Sequence, residues 1–353
     1  MMLLLSRNSL PVLKEYRGLE IKCLKNYIVD MDFFAYKDSM HIYEESTVNE
    51  YISNKGWVSK RAKNHPDLGF CYNKASIDKN GSILYSKQKY VTRNNDCDIF
   101  LFDYSWGHNY QHWLISSLGR LFVYCELKKY NPKLKLLIGD KMPKYKSEAI
   151  TLLGISDDDL ICHREVTKYR KIYTCNFNSG SGLRVSHLSY YYYEKMANLI
   201  NFTDDFGRKI YIARDDSRGK RPLINRSELN ALMTKRGFNV VFLEELSFYE
   251  KIALFKSADI IIGDFSSGWG HIVFCEKFTK LILLEHDIYK FQGFYKEIAN
   301  SKCLDLKVVE TKNIFRLMYL KFLKLIWTLL KDVDKRANSL SWKVNIKELM
   351  DFL

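Results

Sequence analysis

Proline and glycine are scarce in this sequence, with 5 and 17 residues among 353, which excludes a long linker rich in either. None of the eight cysteines forms a Cys-x-x-Cys pair. That spacing argues against structural zinc and favours free thiols in a reducing compartment. The apolar run at residues 2–5 is too short for a signal-peptide core or a membrane span. We therefore expect a cytoplasmic protein.

Basic charge is in excess, with a net charge of +14, but it is spread along the chain without an arginine-rich tail or zinc-finger spacing. A solvated lysine-rich surface explains such a distribution, so we expect no nucleic-acid partner. A diphosphate substrate or anionic membrane headgroups would each use part of this charge.

Strand-like and helix-like segments alternate along most of the chain, which predicts an α/β protein with parallel sheets. The length allows two domain-sized cores, and a break near residues 200–207 separates them. Predicted strands lie at 84–92, 98–104, 134–139, 209–213, 238–243, 258–263 and 280–285, and residues 160–175 continue the alternation. Residues 106–130 comprise a short aromatic turn and then a helix, and further helices are predicted at 145–154, 187–201, 225–236, 247–257 and 269–276.

The predicted sheet of the second half, a doubly wound sheet of four strands, should bind ligands beyond the carboxyl ends of its strands. Arg214, Arg218 and Arg221 follow its first strand, where guanidinium groups could bind a diphosphate. Its third strand ends in a small-residue loop whose backbone amides could approach phosphate, together with the following helix. The loop residues expected there are Gly263, Ser266, Ser267 and Gly268.

Two segments together resemble glycosyltransferase family 61. Residues 208–274 carry the strand–Arg pattern, the helix start with Arg221 and Asn225, and the LEELSF…ADIIIG series, and residues 108–121 carry an aromatic-His-Trp-Leu stretch before Gly-Arg-Leu. The resemblance implies a GT-B fold, in which two Rossmann-like doubly wound domains face each other across a cleft. It also implies an inverting mechanism, with the acceptor bound in the N-terminal half and a nucleotide sugar in the C-terminal half.

The expected domains are an acceptor-binding domain at 1–203, a nucleotide-sugar-binding domain at 204–305 and C-terminal helices at 306–353. Residues 312–331 form a broadly apolar helix with a narrow polar stripe. That helix either crosses back onto the first domain or lies on the inner face of a membrane, where it would suit a lipid-linked glycan acceptor.

The third-strand loop departs from the resembled family, which usually has Gly-Pro-His-Gly-Ala-Gly. Here the loop reads Gly-Asp-Phe-Ser-Ser-Gly, so Phe265 replaces the histidine, and His271 follows where the family often has Asn. The departure supports an alternative in which the protein binds glycan or nucleotide without turnover. A phosphorylase or epimerase of the same fold would lack the family pattern.

An inverting transfer needs one base to take the proton of the acceptor hydroxyl. His112 is the first candidate, since its ring titrates near neutrality and it follows a strand. Its alternative role is to cap or pack the helix start. Asp103 is the second candidate, or orients His112, and His108 is a third.

Acidic residues offer two further possibilities. Glu244, Glu245 and Glu285 end strands of the second sheet, where Glu245 could contact the ribose or base of a donor, or could simply be solvated. Two Asp-x-Asp motifs, at 30–32 and 96–98, fit a metal site but are interpreted as turns, so a metal-independent enzyme is expected, with Mn²⁺ or Mg²⁺ not excluded. The predicted reaction transfers a sugar, most simply from a UDP-sugar, to a glycan hydroxyl in surface or capsular polysaccharide synthesis.

Overall fold

The computed structural model divides the chain into two compact units, Met1–Met196 and Ala197–Leu353. The domain bounds expected from the sequence stay a prediction. The structure describes residues 3–4, 21–29, 35–37, 41–42, 75–77, 83–85, 93–102, 109–175, 185, 187–201, 206–214, 221–286, 292–310, 319, 322–323 and 340–353.

The first unit is built on an eight-stranded mixed sheet with a separate two-stranded ladder. Its strands are β1 Leu3–Leu4, β2 Ile21–Val29, β3 Ala35–Lys37, β4 His41–Ile42, β5 Ala75–Ile77, β6 Ile83–Tyr85, β7 Arg93–Leu101, β8 Lys135–Gly139, β9 Leu160–His163 and β10 Thr167–Cys175. The order across the large sheet is β4-β3-β2-β10-β7-β8-β9, with β1 beside β2, while β5 pairs with β6. Strands β10, β7, β8 and β9 run parallel, and β2 runs antiparallel to β10.

Helices connect β7 to β8 and β8 to β9, as the alternation predicts, whereas only residues 164–166 separate β9 from β10. The helical residues are α1 Tyr110–His112, a π-helical segment Trp113–Ser117, α2 Leu118–Tyr130, α3 Lys144–Leu152, a 3₁₀ turn Asp157–Asp159 and α4 His187–Asn198. Strand β7 ends in four buried residues, Asp98–Leu101, as is typical of a strand covered on both faces. Its Ile99 and Leu101 pack with Leu24, Leu137 and Ile172 in one core cluster.

The π-helical segment interrupts the helix directly after His112. Its wider turn is seen in the backbone N–H of Leu118, which donates to the carbonyl oxygen of Trp113, five residues back. The buried hydroxyl of Tyr193 donates to the carbonyl oxygens of Leu114 at 2.9 Å and Ile115 at 3.2 Å. This hydroxyl satisfies backbone acceptors in the segment, so the irregular turn is anchored by a side chain of α4.

The second unit is built on a five-stranded, fully parallel sheet. Its strands are β11 Lys209–Ala213, β12 Asn239–Phe242, β13 Ile260–Asp264, β14 Lys280–Glu285 and β15 Asp305–Glu310, and its helices are α5 Arg226–Lys235, α6 Phe248–Ser257, α7 Gln292–Lys302 and α8 Ile346–Met350, with 3₁₀ helices Leu243–Glu245 and Ser267–Phe274. The order β12-β11-β13-β14-β15 is that of a doubly wound sheet of the flavodoxin type. The two parallel-rich sheets confirm the α/β class.

The terminal residues of the chain complete the core of the second unit. Trp342, Val344 and Leu349 are buried in the same cluster as Tyr211 of β11 and Ile282 of β14. Residues 312–331, predicted as an apolar helix, lie almost entirely outside the described residues, so both placements of that helix stay predictions. Within the described residues, no helix is both long enough and apolar enough to cross a bilayer.

Three local expectations need correction. The second sheet has a fifth strand, β15, beyond the four predicted. Residues 96–98 lie in β7 and form no turn: the Asp98 carboxylate accepts from Arg170 at 2.8 Å and lies 3.5 Å from Lys171. Asn225 precedes α5 as predicted, but its side chain bonds the backbone of Val344 and does not cap the helix.

Two helix boundaries are confirmed in detail. The Ser247 hydroxyl accepts the N–H of Glu250 at 3.2 Å, and the Glu250 carboxylate accepts the N–H of Ser247 at 2.6 Å, so a capping box starts α6. Gly237, with φ of +75°, follows the end of α5, where a left-handed residue commonly ends a helix.

Replacing Tyr193 with Phe should destabilise the first unit, because it leaves two buried carbonyl groups without the hydroxyl donor. The expected loss in free energy of unfolding is about 1–3 kcal/mol, measured by urea titration. Tyr191→Phe is the matched control on the same helix, since Tyr191 is 41% exposed. Equal stability of the two variants would show that the hydroxyl does not anchor the π-helical segment.

Candidate functional site

The strand order reverses at β11, which lies between β12 and β13. Chain connections leave such a point in opposite directions, so a crevice opens beyond the carboxyl ends of the two strands β11 and β13. Ile212 pairs with Gly263 across these strands. Arg214 after β11 and Phe265 after β13 are therefore level at the same sheet edge, as the sequence predicted for the ligand site.

Two glycines of the loop lie close to neighbouring residues. A Cβ atom on Gly263 would lie 2.9 Å from both the Cβ and the carbonyl oxygen of Ile212. A Cβ atom on Gly268 would lie 2.4 Å from the Cδ1 atom of Leu243, which follows β12. Gly263 therefore lets β13 lie against the backbone of Ile212, and the predicted phosphate contacts of both glycines stay predictions.

Arg221 reaches this loop from the segment after β11. The centre of its guanidinium group lies 5.2 Å from the ring centroid of Phe265, within the range of a cation–π interaction. Phe265 also meets the edge of the Tyr295 ring, with centroids 5.9 Å apart. The aromatic residue that replaces the family's histidine is therefore partnered with a cation from another segment.

The loop backbone is partly committed to the sheet. The N–H of Phe265 donates to the carbonyl oxygen of Leu284 at 3.1 Å, which extends the β13–β14 ladder. The Tyr295 hydroxyl donates to the carbonyl oxygen of Ser266 at 3.3 Å. Ser267 begins the 3₁₀ helix, whose first backbone amides have no intrahelical acceptor. A phosphate at this edge would consequently meet the amides of residues 266–268, whereas that of Phe265 is already used.

A buried ion pair at the site was missed by the sequence analysis. The Arg226 guanidinium lies 2.5 Å from the Asp264 carboxylate and donates to the Tyr211 hydroxyl at 2.9 Å. The Asp264 side chain is 3% exposed and that of Arg226 is 13% exposed. Asp264 is therefore charge-compensated at the end of β13. The sequence could have indicated this pair, because Asp264 directly follows a predicted strand and Arg226 lies at the start of a predicted helix.

The acidic residues predicted at strand ends lie in different environments. Glu245 is exposed at the end of the 3₁₀ helix after β12, while Glu285 is buried at the end of β14. His271 lies in the core, where its Nδ1 atom is 3.0 Å from the carbonyl oxygen of Gly268 and its ring stacks on Phe255 with centroids 5.3 Å apart. Burial lowers the pKa of His271 to about 3, so its ring is neutral and does not replace the loop histidine.

His112 lies in the first unit, where it ends α1 immediately before the π-helical segment. Its side chain is half-buried, and its backbone N–H donates to the side-chain oxygen of Asn109 at 3.4 Å. Asp103, His108 and Arg218 lie outside the described residues, so their predicted roles stay predictions. Among the residues that the structure describes, no three His, Cys, Asp or Glu side chains are grouped to hold a metal ion.

Comparison with known proteins identifies a family. The family model described as Glycosyltransferase 61 matches residues 110–282, which include His112, Arg214, Arg221 and the loop at 263–268. A search of curated proteins found no match.

The burial of neutral His271 should make the free energy of unfolding fall in acid. Its folded-state pKa is depressed from 6.5 to about 3, so its contribution to stability is complete above pH 6.5 and is lost as the pH falls towards 3. Between pH 7.5 and 5.0 this residue should account for a loss of about 2 kcal/mol in the free energy of unfolding.

His271→Asn keeps a hydrogen-bond donor but cannot titrate in this range. Urea titrations of both proteins at the two pH values should show a smaller acid loss in the variant. The same acid loss in both proteins would contradict the burial of a neutral imidazole.

Proposed function

Because this chain belongs to glycosyltransferase family 61, we propose that it transfers a sugar from a nucleotide donor to a glycan hydroxyl. The observation that carries the donor site is the meeting of Arg214, Arg221 and the loop 265–268 at the switch point of the second sheet. The proposed architecture is GT-B, with an inverting mechanism and a uridine diphosphate sugar as donor.

The leaving diphosphate sets the electrostatic requirement of the reaction. Negative charge grows on its bridging oxygen as the glycosidic bond breaks, and fixed cations stabilise that charge. Arg214 and Arg221 are the arginines proposed for this role, because Arg214 directly follows β11 and Arg221 lies against Phe265 of the loop. The amides of residues 266–268 and the hydroxyls of Ser266 and Ser267 would add hydrogen-bond donors. Arg218 and Glu245 remain proposed donor contacts on sequence grounds.

The proposed base is His112, with Asp103 as the alternative base or as the group that orients the ring. In this role the neutral imidazole takes the acceptor proton while the acceptor oxygen attacks the anomeric carbon opposite the diphosphate. The half-buried position of His112 beside an irregular helical turn, within the residues that match the family, supports this assignment.

The proposed setting is the cytoplasm or the inner face of a membrane, with an acceptor that belongs to a surface or capsular polysaccharide. Residues 312–331 would provide the membrane contact, because they combine apolar and basic side chains. A lipid-linked glycan would fit an enzyme held at that surface.

One observation favours a second candidate function, binding without turnover. Phe265 replaces the family's loop histidine, and His271 is buried and neutral. Wild-type protein that binds a nucleotide sugar but releases no nucleoside diphosphate with any glycan acceptor would support this candidate over the transferase.

Arg214→Ala and Arg221→Ala should each weaken the binding of uridine diphosphate by about tenfold, since each removes a charge-assisted contact. Titration calorimetry with uridine diphosphate, guanosine diphosphate and the parent nucleosides measures this effect. Arg208→Ala is the matched control: Arg208 precedes β11 at the opposite edge of the sheet and pairs with Asp259 at 3.0 Å. Unchanged diphosphate affinity in both site variants would contradict the proposed donor site.

His112→Ala should lower turnover by at least about 100-fold while sparing nucleotide affinity. The measurement is acceptor-dependent release of nucleoside diphosphate, paired with calorimetry on the same preparation. Near-normal turnover would make Asp103 the proposed base. Lost nucleotide affinity would show that His112 contributes to donor binding and would contradict a role confined to proton transfer.

A further inference from the structure

We propose that the C-terminal segment at residues 340–345, called here the terminal strap, positions Arg221 for the diphosphate, with Trp342 as its main positioning residue. The inference rests on the proposed function of Arg221. It adds a requirement for a segment that lies about 120 residues further along the chain and donates a hydrogen bond to the backbone of Arg221.

The strap is bonded to the turn that carries Arg221 at several points. The indole Nε1–H of Trp342 donates to the carbonyl oxygen of Arg221 at 3.0 Å. The backbone N–H of Trp342 donates to the carbonyl oxygen of Pro222 at 3.0 Å, and the carbonyl oxygen of Trp342 accepts from the N–H of Ile224 at 2.8 Å. Leu223 and Trp342 form a parallel β-bridge. Trp342 thus bonds the backbone at three positions of this turn, Arg221, Pro222 and Ile224.

Asn225 closes the same turn from its other end. Its side-chain oxygen accepts the N–H of Val344 at 3.0 Å, and its side-chain nitrogen donates to the carbonyl oxygen of Val344 at 3.1 Å. Both groups are buried, as Asn225 is 7% exposed and Val344 is 3% exposed. This pair explains why Asn225 does not cap α5, because its amide is used to hold the strap.

The backbone of Arg221 needs such support. Its φ of +56° places a residue that has a Cβ atom in the left-handed region, which disfavours residues other than glycine by roughly 1–2 kcal/mol. Outside bonds must therefore fix this conformation. The carbonyl bond to Trp342 fixes one end of the residue, and the contact with Phe265 orients the guanidinium at the other.

The strap itself is anchored in the core of the unit. Trp342 is 3% exposed, packs in the cluster that includes Tyr211 and Ala213 of β11, and lies with its ring centroid 5.7 Å from that of His286. Strand β11 leads directly to the site, so the same cluster supports the strand and the strap. The strap therefore fixes the position of Arg221 relative to the sheet edge that carries Arg214.

The test is a double-mutant cycle on the full chain. Trp342→Phe keeps an aromatic ring in the core but removes the indole donor, and it should weaken uridine diphosphate binding by about fivefold. In an Arg221→Ala background the same change should leave the affinity unaltered, because Trp342 acts through Arg221. Leu349→Ala is the matched control: Leu349 is fully buried in the same cluster and donates no side-chain bond to the turn. It should lower Tm without changing affinity.

A second measurement does not depend on the nucleotide. Amide hydrogen exchange at residues 221–225 should accelerate in Trp342→Phe and stay at the wild-type rate in Leu349→Ala at equal distance from Tm. Equal affinity losses in both Arg221 backgrounds, an equal loss in Leu349→Ala, or unchanged exchange at 221–225 would each overturn the inference. Wild-type protein that binds no nucleoside diphosphate would contradict the proposed function, while the exchange result would still decide the role of the strap.

Discussion

The position of β11 between β12 and β13 is the constraint on which the candidate donor site depends. Right-handed connections from β11 to β12, and from β12 past β11 to β13, place successive helices on opposite faces of the sheet. The carboxyl ends of β11 and β13 are then left uncovered at one edge. Arg214 and Phe265 follow those ends, and Gly263 permits the backbone of β13 to lie against Ile212 there.

The charged side chains at this edge of the sheet have different partners. Arg226 and Asp264 compensate each other in a buried pair, while Arg221 is held against an aromatic ring. In the proposed function this arrangement moves the cation from the loop, where the family usually has histidine, to a neighbouring turn. Such a cation stays charged at all physiological pH values, unlike a histidine, so donor binding through Arg221 would not titrate near neutrality.

Strands with simple patterns were predicted well from the sequence. Strands β11 and β14 have the bounds predicted from their apolar runs KIYIA and KLILLE. Strand β15 was missed because Asp305, Lys307 and Glu310 interrupt its apolar residues, as suits the half-exposed last strand of a sheet. Strand β2 was missed for a similar reason, since lysine and asparagine interrupt the apolar residues of its sequence IKCLKNYIV.

The sequence indicates the residues of the candidate site by their type and position, but not their contacts. Arg214, Arg221 and the loop glycines were identified because strand ends of a doubly wound sheet collect ligand contacts. The pairing of Arg221 with Phe265, the bond from Trp342 and the left-handed turn depend on tertiary packing and have no local signature. The π-helical segment after His112 was equally invisible, because it is a change in hydrogen-bond register within a continuous apolar helix.

The most direct test of the donor site is amide hydrogen exchange of the wild-type protein with and without uridine diphosphate. The account predicts slower exchange at residues 264–269 and 221–225, with no change at 276–280, at the opposite edge of the sheet. Protection confined to other segments, or no protection at a concentration that saturates binding, would contradict the placement of the nucleotide at the switch point.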